Sequence, residues 1–286
     1  AAGLGHPAQA ERSSPSAVVG ANAGRVQEAL RVLEEFGRSS DPLLAEEASA
    51  LRYLLYDLEV DLLQACRLAA AGGAGRRELL ASCRLYLVTS PVPDLEGVVA
   101  AALGAGVRLV QYRAKEAAGL DDLQKLSQAR ALRQLCAAHG ALFLVNDRID
   151  IALAVEADGV HLGQGDLPPA VARQLLGPDR LIGRSTHALE QLQQAVSDGC
   201  DYLGVGPVEA TPTKPGREPV GLDYVRQAAA ASPIPFFAIG GLEASKVAAV
   251  RAAGAQRIAV VRAITEAVDP AAATAELLAA LEAPAL

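Results

Sequence analysis

Gln111, Arg113 and Lys115 fall at alternate positions, so an extended backbone turns an amide and two cations to one side, where they suit an anionic ligand. Further along, Asn146-Asp147 and His161-Leu162-Gly163-Gln164-Gly165-Asp166 each close on a carboxylate. Two acids beside an amide suit a Mg2+ ion, which keeps several waters and also binds substrate phosphates. Taken singly, each Asp reads equally well as a helix N-cap, and Gln111 to Lys115 as a solvated loop end. Thr211-Pro212-Thr213-Lys214 offers two hydroxyls and an ammonium on a proline-restricted loop, a composition that can clamp phosphate. Gly240-Gly241 removes Cβ atoms where an anion could approach the backbone, although a plain tight turn has the same composition. Ser185 could donate to a phosphate or a reacting heterocycle. His161 and His187 are read as structural hydrogen-bonding residues and receive no catalytic step. No Ser–His–Asp set or activated thiolate accompanies these groups, which disfavours covalent catalysis.

These residues share a placement. Each follows a short aliphatic run, and the runs are Leu85–Thr89, Arg108–Tyr112, Leu142–Asn146, Gly159–Leu162, Leu181–Gly183, Tyr202–Val205, Pro235–Ile239 and Arg257–Val261. Amphipathic stretches such as Leu120–His139 and Ala244–Ala253 separate them. Eight βα units in about 200 residues predict an α/β fold, a (β/α)8 TIM barrel at the short end of its size range. A doubly wound open sheet is the structural rival. In the barrel, strand ends and βα loops carry the chemistry, and consecutive parallel strands lie about 4.8 Å apart. Asp147 and Asp166 can then face one mouth, with a separate monophosphate pocket on strands seven and eight.

Upstream of the barrel the texture differs. Residues 1–21 are rich in Ala, Gly, Pro and Ser and read as a flexible tail. Residues 22–70 carry helical periodicity, with Asn22 as an N-cap and a second start at Asp41-Pro42; they predict a small helical hairpin. Residues 71–82, opening on Ala71-Gly72-Gly73-Ala74-Gly75, read as a linker, and residues 83–286 as the barrel.

Composition narrows the partners. The 286 residues carry a formal net charge of −7, which argues against nucleic acid but leaves room for small phosphorylated ligands. Cys66, Cys83, Cys136 and Cys200 form no CxxC pair and no zinc spacing; they read as partly buried thiols in a reducing cytoplasm. No run approaches the ~18 apolar residues of a membrane helix, and the first 21 residues lack a secretory apolar core. The absence of an initiator Met leaves room for residues upstream.

The ordered set of motifs resembles the thiamine phosphate synthase family. It comprises Gln111-x-Arg113-x-Lys115, Val145-Asn146-Asp147-Arg148, Asp158 to Asp166, Gly183-x-Ser185-Thr186-His187, Gly204-Val205-Gly206-Pro207, Thr211-Pro212-Thr213-Lys214 and Ala238-Ile239-Gly240-Gly241. The resemblance runs from Leu85 to Val261, and the N-terminal hairpin is similar to an extension on longer members. It implies two small-molecule substrates, 4-amino-2-methyl-5-hydroxymethylpyrimidine diphosphate and 4-methyl-5-(2-hydroxyethyl)thiazole phosphate. They would join by a dissociative, Mg2+-assisted loss of diphosphate. Arg113, Lys115, Ser185 and Lys214 are the implied catalytic set. Gln111, Arg113, Lys115 and Asn146 would hold the pyrimidine diphosphate, and Asp147 and Asp166 the Mg2+. Ser185 would lie beside the reacting heterocycles and Lys214 would reach the leaving group. Thr211 and Thr213, with the backbone around Gly241, Val261 and Arg262, would anchor the thiazole phosphate. The chain departs from the family pattern at Arg262, often Ser; at Glu209, often aromatic; and at Arg184, often aliphatic. The alternatives are a thiazole tautomerase of the same fold and a non-catalytic binding or regulatory barrel. A homo-oligomer is compatible with each.

Overall fold

The computed structural model describes residues 15–115, 119–211 and 218–283. Its strands are β1 (Leu85–Val88), β2 (Leu109–Tyr112), β3 (Leu142–Asn146), β4 (Gly159–Leu162), β5 (Leu181–Thr186), β6 (Tyr202–Val205), β7 (Phe236–Ile239) and β8 (Ile258–Val260). All pair in parallel in sequence order, and β1 pairs with β8 to close the barrel. The expected barrel is therefore the architecture, and the open sheet is excluded.

The helices are α1 (Pro15–Ser40), α2 (Pro42–Ser82), α3 (Leu95–Gly104), α4 (Asp122–Ala138), α5 (Ile149–Ala154), α6 (Pro169–Leu176), α7 (Leu189–Ser197), α8 (Gly221–Ala231), α9 (Ala244–Ala252), α10 (Arg262–Thr265) and α11 (Pro270–Glu282). From α3 on they follow the strands and form the outer layer. Parallel strands covered on their outer face need apolar residues there, and side chains alternate between the two faces. Val110, Phe143, Val160, Ile182 and Leu203 accordingly point outward into one large cluster with the helices. Tyr86, Leu109, Leu142, Leu144, Leu181, Tyr202 and Phe237 point inward and fill the barrel.

The interior is shaped by two glycines. A Cβ on Gly183 would lie 2.0 Å from the Tyr202 ring, and one on Gly159 would lie 2.1 Å from the Leu181 carbonyl oxygen. Gly183 thus makes room for an aromatic side chain from the next strand. Leu80, from the last turns of α2, joins the interior cluster beside Leu109, Leu142 and Leu181, the first residues of their strands. It fills the end of the barrel opposite the βα loops.

The same end is tied by charge. Asp158 accepts from the Phe143 amide at 3.0 Å and pairs with Arg76 at 2.9 Å. Asp201 accepts from the Ile182 amide at 2.8 Å and pairs with Arg77 and Arg173 at 2.6 and 2.7 Å. Each aspartate immediately precedes a strand and satisfies an amide of the strand before it, so the two residues repeat one device around the ring.

The chain divides into two compact units at residues 71 and 72. In the first, α1 and α2 are linked by Glu34, which pairs with Arg38 at 2.9 Å and Arg52 at 3.1 Å. Asp41 caps α2 through the Leu44 amide at 3.2 Å, with Pro42 in its first turn. Two expectations are corrected here. Residues 15–21 are helical and Asn22 lies within α1, because Pro15 provides the earlier start. Residues 73–82 are helical rather than a linker; the glycine run produces only a break at Gly72, where φ is 54° and ψ is −137°.

Cys83, Cys136 and Cys200 are buried and unpaired, and burial pushes the Cys83 and Cys200 thiols up to about 12. The Cys66 side chain lies outside the described residues. Among the described residues, no helix is long and apolar enough to cross a membrane.

Candidate active site

At the end of β2 the alternation persists. Gln111 points inward, buried, and its amide donates to the Tyr86 hydroxyl. The Arg113 amide donates to Thr89 Oγ1 at 2.9 Å, which extends the register beyond the strand. Burial holds the Arg113 guanidinium below its ordinary value, against the charge of Asp147. Lys115 Nζ pairs with Asp147 Oδ2 at 2.5 Å.

Asp147 follows β3, and its amide donates to the His161 carbonyl of β4 at 3.0 Å. Its φ of 60° puts it in the left-handed region, which Asp tolerates better than most residues. Asp166 sits in the turn after β4, its carboxylate accepting from the Gly163 amide at 2.6 Å. The two carboxyl groups lie close enough to interact directly. Burial works to raise the Asp147 carboxyl, but hydrogen bonds from Asp166, Lys115 and Asn146 outweigh it and hold it below its usual range. Burial, then the neighbouring Asp147, pushes Asp166 above that range. Like charges at close range favour the ionisation of one acid and oppose that of the other.

Linkage gives this asymmetry a measurable sign. A raised folded pKa contributes stability at low pH that is lost as pH rises through it, so ionised Asp166 destabilises the ligand-free protein at neutral pH. Asp166→Asn keeps an oxygen for Gly163 and gains an amide donor for Asp147. We expect it to raise Tm by a few degrees at pH 7, with the gain fading as pH falls through the raised Asp166 value and gone by the ordinary carboxylate value of about 4. An unchanged or lowered Tm at pH 7 in a thermal melt would show that the two acids do not oppose each other.

A chain of hydrogen bonds crosses the barrel interior. Gln111 reaches Tyr86, whose hydroxyl meets that of Tyr202 at 2.9 Å. Tyr202 meets His161 Nδ1 at 3.0 Å, and His161 Nε2 meets Ser185 Oγ at 2.9 Å. Ser185 was expected just beyond β5, but the strand runs on to Thr186, so Ser185 is a buried inward-facing strand residue. Tyr86 and Tyr202 were not singled out from the sequence. Their signal is faint: inward parity in β1 and β6, and Gly183 opposite.

Above this chain a cavity of about 470 Å³ opens at the strand ends, lined by Gln111, Arg113, Asn146, His161 and Ser185 on one side. Its other side comprises Gly240, Gly241, Thr211, Lys246, Val261 and Arg262. Gly240 and Gly241 have φ of 106° and 67°; a Cβ on either would press on residues 207–210. The glycine pair therefore lets the loop after β6 lie against the loop after β7. Thr213 and Lys214 fall outside the described residues. Arg262 pairs with Glu266 at 3.3 Å at the cavity wall. Arg184 faces outward and donates to the Leu167 and Gln164 carbonyls at 3.2 and 3.4 Å, bracing the loop that carries Asp166.

Among the described residues, no group of three or more His, Cys, Asp or Glu forms a metal cluster. The Asp147–Asp166 pair is a two-carboxylate set, which suits a cation that takes its remaining ligands from water and phosphate rather than from protein.

A closed eight-stranded barrel with a polar cavity at its C-terminal strand ends belongs to the class of (β/α)8-barrel enzymes. Residues 85–264 match the family model described as thiamine monophosphate synthase, and residues 2–61 match the ThiD2 family. A thiamine-phosphate synthase of Prochlorococcus marinus (strain MIT 9303) is 58% identical over 284 residues, covering 98% of this chain and 78% of that protein. One of Synechocystis sp. (strain ATCC 27184 / PCC 6803 / Kazusa) is 52% identical over 275 residues, 96% of this chain and 77% of that protein. The solved thiamine phosphate pyrophosphorylase from Pyrococcus furiosus superposes with a TM-score of 0.64 at 36% identity, covering 72% of this chain and 97% of that one. The chain belongs to the thiamine monophosphate synthase family, and it is accordingly a transferase of thiamine biosynthesis.

Proposed function

We propose that the barrel joins 4-amino-2-methyl-5-hydroxymethylpyrimidine diphosphate to 4-methyl-5-(2-hydroxyethyl)thiazole phosphate, releasing diphosphate. The observation that carries this reading is the pair of interacting carboxylates, flanked by Lys115 and Arg113, at strand ends beside a cavity that Arg113 and Asn146 line together with Gly240 and Gly241. Two anionic substrates can then lie face to face, which supplies the orientation that a bimolecular capture needs.

In this reading Asp147 and Asp166 would hold Mg2+, a role the paired acids fit. When bound, Mg2+ would stabilise the negative charge of the departing diphosphate. Lys115 and Arg113 add fixed positive charge to the same group, Arg113 in a partly desolvated position where charge acts strongly. Gln111 and Asn146 orient the pyrimidine end, Ser185 lies beside the heterocycles, and Lys214 reaches the leaving group. Thr211 and Thr213, with the backbone at Gly241, Val261 and Arg262, hold the thiazole phosphate. Departure of diphosphate leaves a methylene cation on the aminopyrimidine, and the thiazole nitrogen captures it. Neither step calls for a protein nucleophile.

A cytoplasmic setting suits the buried, unpaired thiols. The test is to supply both substrates with and without Mg2+. Thiamine phosphate and diphosphate should appear together, one for one, and only with the cation. Tautomerisation of a thiazole precursor without condensation, or tight binding of either ligand without turnover, would overturn the proposal.

A further inference from the structure

We propose that Lys246 is a phosphate-recognition residue of the thiazole-phosphate pocket, held in reserve by Glu209 until the phosphate displaces that carboxylate. The inference rests on the reading that the wall around Gly241 receives the thiazole phosphate. It concerns two residues that no role above has absorbed.

Lys246 lies in the first turn of α9, directly after the Gly240-Gly241 turn. Its Nζ donates to the Gly241 carbonyl at 3.1 Å and to the Glu209 carboxylate. An ammonium has three donors, and these two contacts use two of them. Lys246 lines the cavity together with Gly241 and Arg262, whereas Glu209 does not. The ammonium therefore stands between the cavity and an acid.

Glu209 is not needed to hold the two loops together. Its own amide donates to the Gly240 carbonyl at 3.1 Å, and the Val208 amide donates to the Ile239 carbonyl at 2.9 Å. Those backbone bonds join the loop after β6 to the turn after β7 without any side chain. The ion pair is an additional contact, with side chains 34% and 47% exposed. A pair so open to solvent is weak. A phosphate dianion offers the same ammonium more charge and more acceptor oxygens than a carboxylate does. Exchange of Glu209 for the incoming phosphate is therefore favourable, and Lys246 can make it by redirecting a flexible side chain while keeping its bond to Gly241. With no phosphate present, the same ammonium neutralises an acid that would otherwise lower the pocket's affinity for anions. The pair thus tunes discrimination between the thiazole phosphate and the corresponding uncharged alcohol.

Steady-state kinetics on the full chain test this with both substrates varied in turn. Lys246→Ala should raise KM for the thiazole phosphate about tenfold, as loss of one charge-assisted contact does. It should leave KM for the pyrimidine diphosphate within about twofold and barely change inhibition by the thiazole alcohol. Lys246→Arg should recover most of the loss. Glu209→Gln, which frees the ammonium, should lower KM for the thiazole phosphate. An unchanged KM in Lys246→Ala, an equal rise for both substrates, or a rise in Glu209→Gln matching that of Lys246→Ala would overturn the proposal. Gly241→Val tests the parent reading separately. Unchanged thiazole-phosphate affinity there removes the cradle itself, whereas lost affinity there beside an unchanged Lys246→Ala removes only the role of Lys246.

Discussion

Asp147→Asn should lower kcat/KM by about three orders of magnitude, roughly 4 kcal/mol of transition-state stabilisation, while the fold persists. The substitution is chosen for the backbone. Asp147 sits at φ 60°, a conformation that Asn adopts readily but Ala resists by about 1–2 kcal/mol. Asn therefore removes the charge and leaves the turn. It also ends the ion pair with Lys115, whose ammonium then lacks the carboxylate that holds it at 2.5 Å. Two linked losses are expected: weaker Mg2+ dependence and a misplaced cation beside the diphosphate. A titration of kcat/KM against Mg2+ separates them, since metal loss shifts the midpoint whereas loss of the lysine contact lowers the plateau. A decline of less than about tenfold at saturating Mg2+ would remove Asp147 from the catalytic machinery.

The second large effect is on stability. Asp201→Ala should cost about 2–3 kcal/mol, because it strips a buried carboxylate from a buried strand amide and from two partly exposed guanidinium groups. The Asp201 side chain is only 7% exposed, so the Ile182 amide has little water to replace it, whereas Arg77 and Arg173, 44% and 26% exposed, regain part of theirs. Asp201→Asn retains an acceptor for the amide and should lose less. Urea denaturation of the three proteins reads the series directly. A cost below about 1 kcal/mol for the alanine variant would mean that these contacts are surface-like in energy. Because Asp201 lies at the end of the barrel away from the βα loops, kcat of the protein that stays folded should be unchanged.

The gathering of polar residues at the strand ends was legible because it depends on local rules. Asp147 and Asp166 could be brought together from sequence since each follows a strand and consecutive strands of a parallel barrel are neighbours. The inward parity of Gln111 followed from strict alternation in β2. Features set by long-range contacts were not legible. The bond between Tyr86 and Tyr202 spans 116 residues and joins strands that are not adjacent, so no periodicity announces it. Ser185 was placed too far along because β5 carries Arg184, a charged residue that sequence patterning reads as the end of an apolar strand. Its guanidinium instead reaches the outer surface and two carbonyls there. The glycine run at 71–75 suggested an extended connection, yet residues 73–82 form a helix whose Leu80 is buried in the barrel. Local propensity alone disfavours that outcome, and tertiary packing overrides it.

The chain of hydrogen bonds from Gln111 to Ser185 has a polarity. An amide nitrogen only donates, so Tyr86 receives from Gln111 and must hand its own hydrogen to Tyr202. Burial holds both phenols well above their ordinary values, so neither surrenders its hydrogen to solution. With Tyr202 donating to His161 Nδ1, a neutral imidazole carries its own hydrogen on Nε2, aimed at Ser185. Ser185, receiving at its oxygen, keeps a hydroxyl hydrogen to offer the cavity. The orientation of one glutamine on β2 thereby decides that the serine three strands away meets its ligand as a giver rather than a taker.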